Sequence, residues 1–227
     1  MRTRLLSLFV TTAFLSTPFV ASALGIDDFA DDSLTAIGIG PPNPQQDDDT
    51  VAALLGGTRT IVLERTVGFG SASADANLTE AGYFSLATGP GVVASAALTY
   101  SGFGNVDVTD MGNSIFLSFT ARSDLDAVVT VSFLTAGAMS SATVNIPGLG
   151  AGTEQFVNIP LGAFLGGANL ANVDAISVLV SGPSGPASLD MQISRLGTVQ
   201  TPIPEPGTLA LLGIGLAGLA HSSRRRA

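Results

Sequence analysis

Thr58-Arg-Thr-Ile-Val-Leu-Glu-Arg-Thr-Val67 alternates with a period of two, putting Ile61, Leu63 and Val67 on one side and Thr60, Val62, Glu64 and Thr66 on the other. Side chains of an extended chain point to opposite faces in turn, so this stretch predicts a half-buried strand. Runs of similar character follow at Tyr83–Ala87, Val92–Tyr100, Ile115–Arg122, Ala127–Thr135, Ala142–Ile146, Glu154–Ile159, Ala175–Ser181 and Leu189–Leu196. They are separated by turn-forming clusters such as Thr88-Gly-Pro-Gly91, Pro147-Gly-Leu-Gly150 and Ser181-Gly-Pro-Ser-Gly-Pro186, whose glycines supply positive φ and whose prolines fix φ near −65°. Eight or more short strands at this spacing, with no amphipathic helix among them, predict an all-β fold: a two-sheet β-sandwich. No fixed-period repeat is present.

The composition narrows the chemistry. Between Leu24 and Ile203 stand 17 Asp and Glu against four Arg (Arg59, Arg65, Arg122, Arg195) and no Lys, a formal charge of −13. Such a surface repels nucleic acid and anionic lipid and attracts cations or basic partners, or it serves solubility alone. The chain has no cysteine, so it has neither disulfides nor thiolate metal ligands. Its one histidine, His221, lies near the C-terminus, leaving the body without a Ser-His-Asp or Cys-His constellation, an imidazole zinc site or a histidine base. There is no P-loop or dinucleotide fingerprint. A catalyst built from this body would have to use carboxylates alone. Glu64, Glu80 and Glu154 are the isolated candidates for a glycoside hydrolase, but nothing in the sequence pairs them. The expectation is that the chain is not an enzyme.

Both ends carry segments of another kind. Arg2 and Arg4 precede an apolar run from Leu5 to Leu15, and Ala21-Ser22-Ala23 offers a small-residue cleavage site at Ala21 and Ala23. Residues 1–23 therefore read as a signal peptide with a helical apolar core, leading into the Sec export machinery; a retained anchor is the alternative. At the other end, Pro204-Glu205-Pro206 stiffens the chain and suits a helix start. From Thr208 to Ala220 the chain is uncharged, giving about 20 Å of helix, short of the ~30 Å hydrocarbon core. Arg224, Arg225 and Arg226 then form a basic stop that the positive-inside rule keeps in the cytoplasm. This reads as a short transmembrane helix crossing the inner membrane once.

The tripeptide, the Gly/Leu/Ala helix and the arginine end together resemble the PEP-CTERM sorting domain of Gram-negative bacteria, over roughly residues 202–226. The resemblance implies recognition by an exosortase, cleavage near Pro204-Glu205-Pro206, and transfer to the cell surface or extracellular matrix. The inner-membrane anchor would then be transient, whereas an ordinary single-pass anchor would persist. The expected layout is a signal peptide at 1–23, a β-sandwich domain at 24–200 and a sorting segment at 201–227.

A second resemblance concerns the body. Gly25-Ile-Asp-Asp-Phe29, Leu54-Leu-Gly-Gly-Thr-Arg59, Phe156-Val-Asn-Ile-Pro-Leu-Gly-Ala-Phe164, Val173-Asp-Ala-Ile-Ser-Val178 and Ala187-Ser-Leu-Asp-Met-Gln-Ile193 occur in an order similar to that of the galactose-binding-like jelly roll of carbohydrate-binding modules. The resemblance implies a jelly-roll-like sandwich and, as a cofactor, a structural Ca²⁺ between the first and last strands, held by Asp28 and Asp190. The acidic clusters Asp27, Asp28, Asp31 and Asp32, Asp47 to Asp49, and Asp107 with Asp110 and Asn113 supply the hard oxygen ligands calcium takes, with solvated loop carboxylates as the alternative. Such modules commonly stack sugars on Trp or Tyr. Here there is no Trp and only Tyr83 and Tyr100, both within strand-like runs. The sequence thus supports an exported structural or interaction component of the cell surface or exopolysaccharide matrix, with a glycan-binding module as the alternative.

Overall fold

The computed structural model describes residues 24–30, 33–39, 45–50, 55–109, 116–150, 152–182 and 188–199. Among them are β1 (Gly25–Asp27), β2 (Leu34–Ile39), β3 (Gln45–Thr50), β4 (Thr58–Val67), β5 (Ser71–Ala76), β6 (Phe84–Thr88) and β7 (Val93–Val106). These are followed by β8 (Phe116–Ser123), β9 (Ala127–Thr135), β10 (Ala138–Ile146), β11 (Gln155–Pro160), β12 (Leu165–Gly166), β13 (Val173–Ser181) and β14 (Asp190–Val199). A single 3₁₀ turn, Leu161–Ala163, joins β11 to β12. All pairings are antiparallel. Sheet A runs β11-β8-β14-β6-β5-β2, with β1 also on β14; sheet B runs β12-β10-β9-β13-β7-β4-β3. The expected two-sheet all-β sandwich is the observed architecture.

The core lies between the sheets. Phe84, Leu86, Leu117, Phe119, Met191 and Ile193 from sheet A face Ile61, Leu63, Leu98, Val129, Val131, Phe133, Ile176 and Val178 from sheet B, all essentially excluded from water. Each such side chain contributes roughly 1.5–3 kcal/mol of transfer free energy, the term that holds two sheets face to face. The period of two predicted for β4 is present, with one departure. Val67, expected to point inward with Ile61 and Leu63, is exposed. The β4–β7 register shifts between Arg65 and Val67, and a bulge reverses which face the following residue meets.

Five strands escape the sequence pattern. β1, β2, β3, β5 and β12 are short, small-residue or acidic, and the acidic run Asp47–Asp49, expected in a loop, lies in β3 at the edge of sheet B. β5, Ser-Ala-Ser-Ala-Asp-Ala, buries only alanines on its inner side and is flanked within the sheet by β2 and β6.

Asp27, expected in a solvated acidic cluster, is instead buried. Its Oδ2 accepts from Arg59 Nη1 at 3.1 Å and from Tyr100 Oη at 2.8 Å, while Oδ1 accepts the Phe29 amide at 2.7 Å. Asp27 belongs to β1 on sheet A, whereas Arg59 and Tyr100 sit side by side on β4 and β7 of sheet B. The ion pair therefore spans the sandwich. Burial first, and the Asp27 charge next, push the Tyr100 hydroxyl well above its ordinary value.

No helix among the described residues is long and apolar enough to cross a membrane. The segments expected to form the signal helix and the short C-terminal transmembrane helix lie outside the described residues.

Candidate functional site

The outer face of sheet A is the most unusual surface of the protein. Residues paired across strands share a face, and the register aligns Arg122 of β8 with Gln192 of β14, Gln192 with Ser85 of β6, Ser85 with Asp75 of β5, and Asp75 with Thr35 of β2. Glu154, just before β11, extends this row beside Arg122. An outward sheet face is ordinarily wet, yet Ser85, Thr120 and Ser194 on it are at most 8% exposed. Of the three, Ser85 lines a cleft of about 390 Å³, together with Thr79, Arg122, Asp124, Asp190 and Gln192.

One wall is the loop between β5 and β6. Asp75 accepts from the Thr79 amide at 2.9 Å and its hydroxyl at 2.8 Å, and Gly82 donates to Asn77 Oδ1 at 3.0 Å. Asn77 Nδ2 donates to Ala30 O at 3.1 Å, so the Asn77 side-chain amide is engaged at both ends. The loop delivers Glu80 and Tyr83 to Arg122. Arg122 Nη1 meets Glu80 Oε1 at 3.0 Å and Nη2 meets Glu154 Oε1 at 2.6 Å. Its guanidinium carbon also lies 4.4 Å from the centre of the Tyr83 ring. The Tyr83 hydroxyl donates to Glu154 Oε1 at 2.8 Å and accepts from Arg122 Nη2 at 2.6 Å.

The electrostatics follow from this clamp. Hydrogen bonds from Arg122 and then Tyr83 hold the Glu154 carboxyl below the usual carboxylate range. The same bond to Glu154 raises the Tyr83 hydroxyl, and it is the first cause raising Arg122. A glycosidase general acid needs the opposite, a carboxyl kept protonated near neutrality. Glu80 and Glu154 thus share one cation and act as a clamp. Glu64 is on the outer face of β4, in the other sheet.

Asp124 and Asp190 both line the cleft, and the Asp190 amide donates to Asp124 Oδ1 at 2.8 Å, which brings the Asp124 carboxylate to the Asp190 backbone. Burial and the neighbouring Asp124 push Asp190 up. Beneath them Ser85 Oγ is buried without a hydrogen-bond partner.

Asp28 and Asp190 are not brought together. Asp28 is exposed and caps its own loop through the Ala30 amide at 3.1 Å. Its neighbour Asp27 pairs with Leu196, six residues of β14 or about 20 Å from Asp190. Asp107 caps Thr109, and Asp31, Asp32, Asp110 and Asn113 lie outside the described residues. No group of three or more acidic or histidine side chains converges among the described residues. Tyr100 is buried in the core, whereas Tyr83 is half-buried and packs against Arg122, which lines the cleft. Arg122 and Ser85, which carry most of the geometry, have no sequence motif of their own. Ala21, Ala23, Pro204, Glu205, Pro206, Arg224, Arg225 and Arg226 lie outside the described residues.

Among solved structures, the chain is similar to the family 11 carbohydrate-binding module of cellulosomal cellulase Lic26A-Cel5E of Clostridium thermocellum, at 11% identity and TM-score 0.41, covering 80% of this chain and 96% of the module. It is similar to the family 30 module of cellulase Cel9D-Cel44B of the same organism, at 13% identity and TM-score 0.44, covering 79% and 99%. The agarase AgWH50C aligns at 14% identity and TM-score 0.45, covering 82% of this chain and 26% of the agarase. No curated protein matches the chain. Residues 202–226 match the PEP-CTERM protein-sorting motif, and the chain therefore carries the motif that implies an exported protein sorted by an exosortase.

Proposed function

We propose that this protein is a component of the cell surface or exopolysaccharide matrix, delivered there by exosortase sorting, and that the cleft on sheet A is where it engages a polyhydroxylated chain such as a glycan. The observation that carries the reading is the floor of the cleft. Ser85, buried, and Gln192, half-buried, line the cleft with polar groups on the outside of a sheet, where an apolar ligand would strand them and a sugar chain would satisfy them. Tyr83, held by Arg122 and Glu154 beside the cleft, adds a preorganised edge. The PEP-CTERM motif supports the destination and the cleft supports the activity.

The test is retention of the purified protein on a panel of immobilised polysaccharides, with Arg122→Ala and Tyr83→Ala as probes. Retention of the parent on at least one polymer, weakened tenfold or more in Arg122→Ala, is the expected result. No retention on any polymer would retire the glycan reading and leave a surface protein that works by another face.

A further inference from the structure

The charges of the cleft are unevenly satisfied, and the imbalance specifies a ligand. On the Tyr83 side Arg122 serves Glu80 and Glu154 together, and Arg195 lies close enough to act on Glu154 as well. On the opposite side Asp124 and Asp190 are adjacent in register across β8 and β14, and the charge acting on Asp190 is that of Asp124. Two carboxylates held together in a partly desolvated cleft lower their energy by accepting a cation.

A second, independent feature points to the same place. Ser85 is 5% exposed and its Oγ has no hydrogen-bond partner. It lines the same cleft. Ser85 lies two residues before Ala87, the partner of Asp190, so the hydroxyl and the Asp190 carboxylate are diagonal neighbours on one face. Leaving a buried hydroxyl unsatisfied costs about 1–3 kcal/mol, which a ligand that reaches it would recover.

We propose that the cleft selects a glycan bearing free amines, with the protonated amine of an amino sugar seated between Asp124, Asp190 and Ser85. An ammonium has three donors and no acceptor, and here it meets two carboxylates and one hydroxyl oxygen. Gln192 and Arg122, next along the row, face the hydroxyls of the neighbouring sugar. The arrangement discriminates against uronates and sulfated chains by like charge, and against N-acetylated sugars by loss of both charge and donors. This rests on the glycan reading and specifies the class of glycan.

The test compares binding of the full-length purified protein to a β-1,4-glucosamine hexamer, its fully N-acetylated counterpart and a neutral glucose hexamer by calorimetry at pH 6. The glucosamine hexamer is expected to bind at least tenfold more tightly than the other two. Asp190→Asn and Asp124→Asn should abolish that preference, and Ser85→Ala, which needs no rearrangement of the sheet, should reduce it severalfold. An unchanged urea midpoint certifies each variant as folded. Equal binding of all three hexamers overturns the amine assignment while leaving the glycan reading intact, as does a preference that survives in folded Asp190→Asn. A melt shifted by calcium alone, and only when Asp190 is present, assigns the pair to a divalent cation and overturns the proposal. Retention of no polymer at all removes the glycan reading, and the amine with it.

Discussion

Asp27 shows how much one side chain can conceal in a sequence. It stands in a row of acids at the start of the body, yet the fold places it between two sheets against Arg59 and Tyr100. Replacing both charges with apolar groups could be nearly neutral, but removing only one strands the other in low dielectric. Asp27→Ala is therefore expected to destabilise the protein by about 3–5 kcal/mol in urea melts. Tyr100 makes a separate prediction. Its folded pKa is raised above the unfolded value by burial and by Asp27, so its contribution to stability is fully present below about pH 10 and is lost as pH climbs from there toward the folded value. Melts at rising alkaline pH should show a falling midpoint in the parent and a flatter profile in Tyr100→Phe. Part of this was legible: Arg59 and Arg65 share the odd-numbered phase of Ile61 and Leu63, so the period of two alone points both arginines inward. That Asp27 is the partner was not, because Ile26 and Asp27 are both buried and β1 shows no alternation.

At the scale of elements, the sequence speaks clearly where a strand buries large side chains on one face and weakly elsewhere. β4, β6 to β11, β13 and β14 carry Val, Ile, Leu and Phe at alternate positions and were foreseeable. β5 has only Ala, Ser and Asp, and β7 runs on past Tyr100 through Gly102 and Gly104, residues that suggest a turn. The candidate site was legible only as scattered members. Tyr83, Glu80 and Glu154 each invite notice, but Arg122 joins them only because β8 lies between β11 and β14, strands distant from it and from each other in the chain. Local backbone chemistry gives a sharper test. Gly57 has φ +81°, and a Cβ there would stand 2.2 Å from the Ser101 carbonyl oxygen, where β4 meets β7. Gly57→Ala should cost roughly 2–3 kcal/mol in urea midpoint, from strain and displaced pairing together, with the core side chains of β4 untouched.

For the whole molecule, the C-terminal motif concerns destination. Residues 202–226 carry the sorting motif, so the protein recovered from an exosortase-competent strain is expected to lack Arg224, Arg225 and Arg226 by intact mass. The same chain from an exosortase-deficient strain should retain them, and equal masses from the two strains would detach the motif from processing. The sandwich itself adds a constraint on when this happens. β14 is the last of the described strands in chain order, yet it lies between β8 and β6 and also carries β1, with Thr198 and Leu24 exchanging hydrogen bonds. Sheet A is consequently open through its middle until residue 199 has been delivered. A chain that stops short of β14 therefore lacks both the middle of sheet A and the sorting motif, and one missing stretch accounts for both losses.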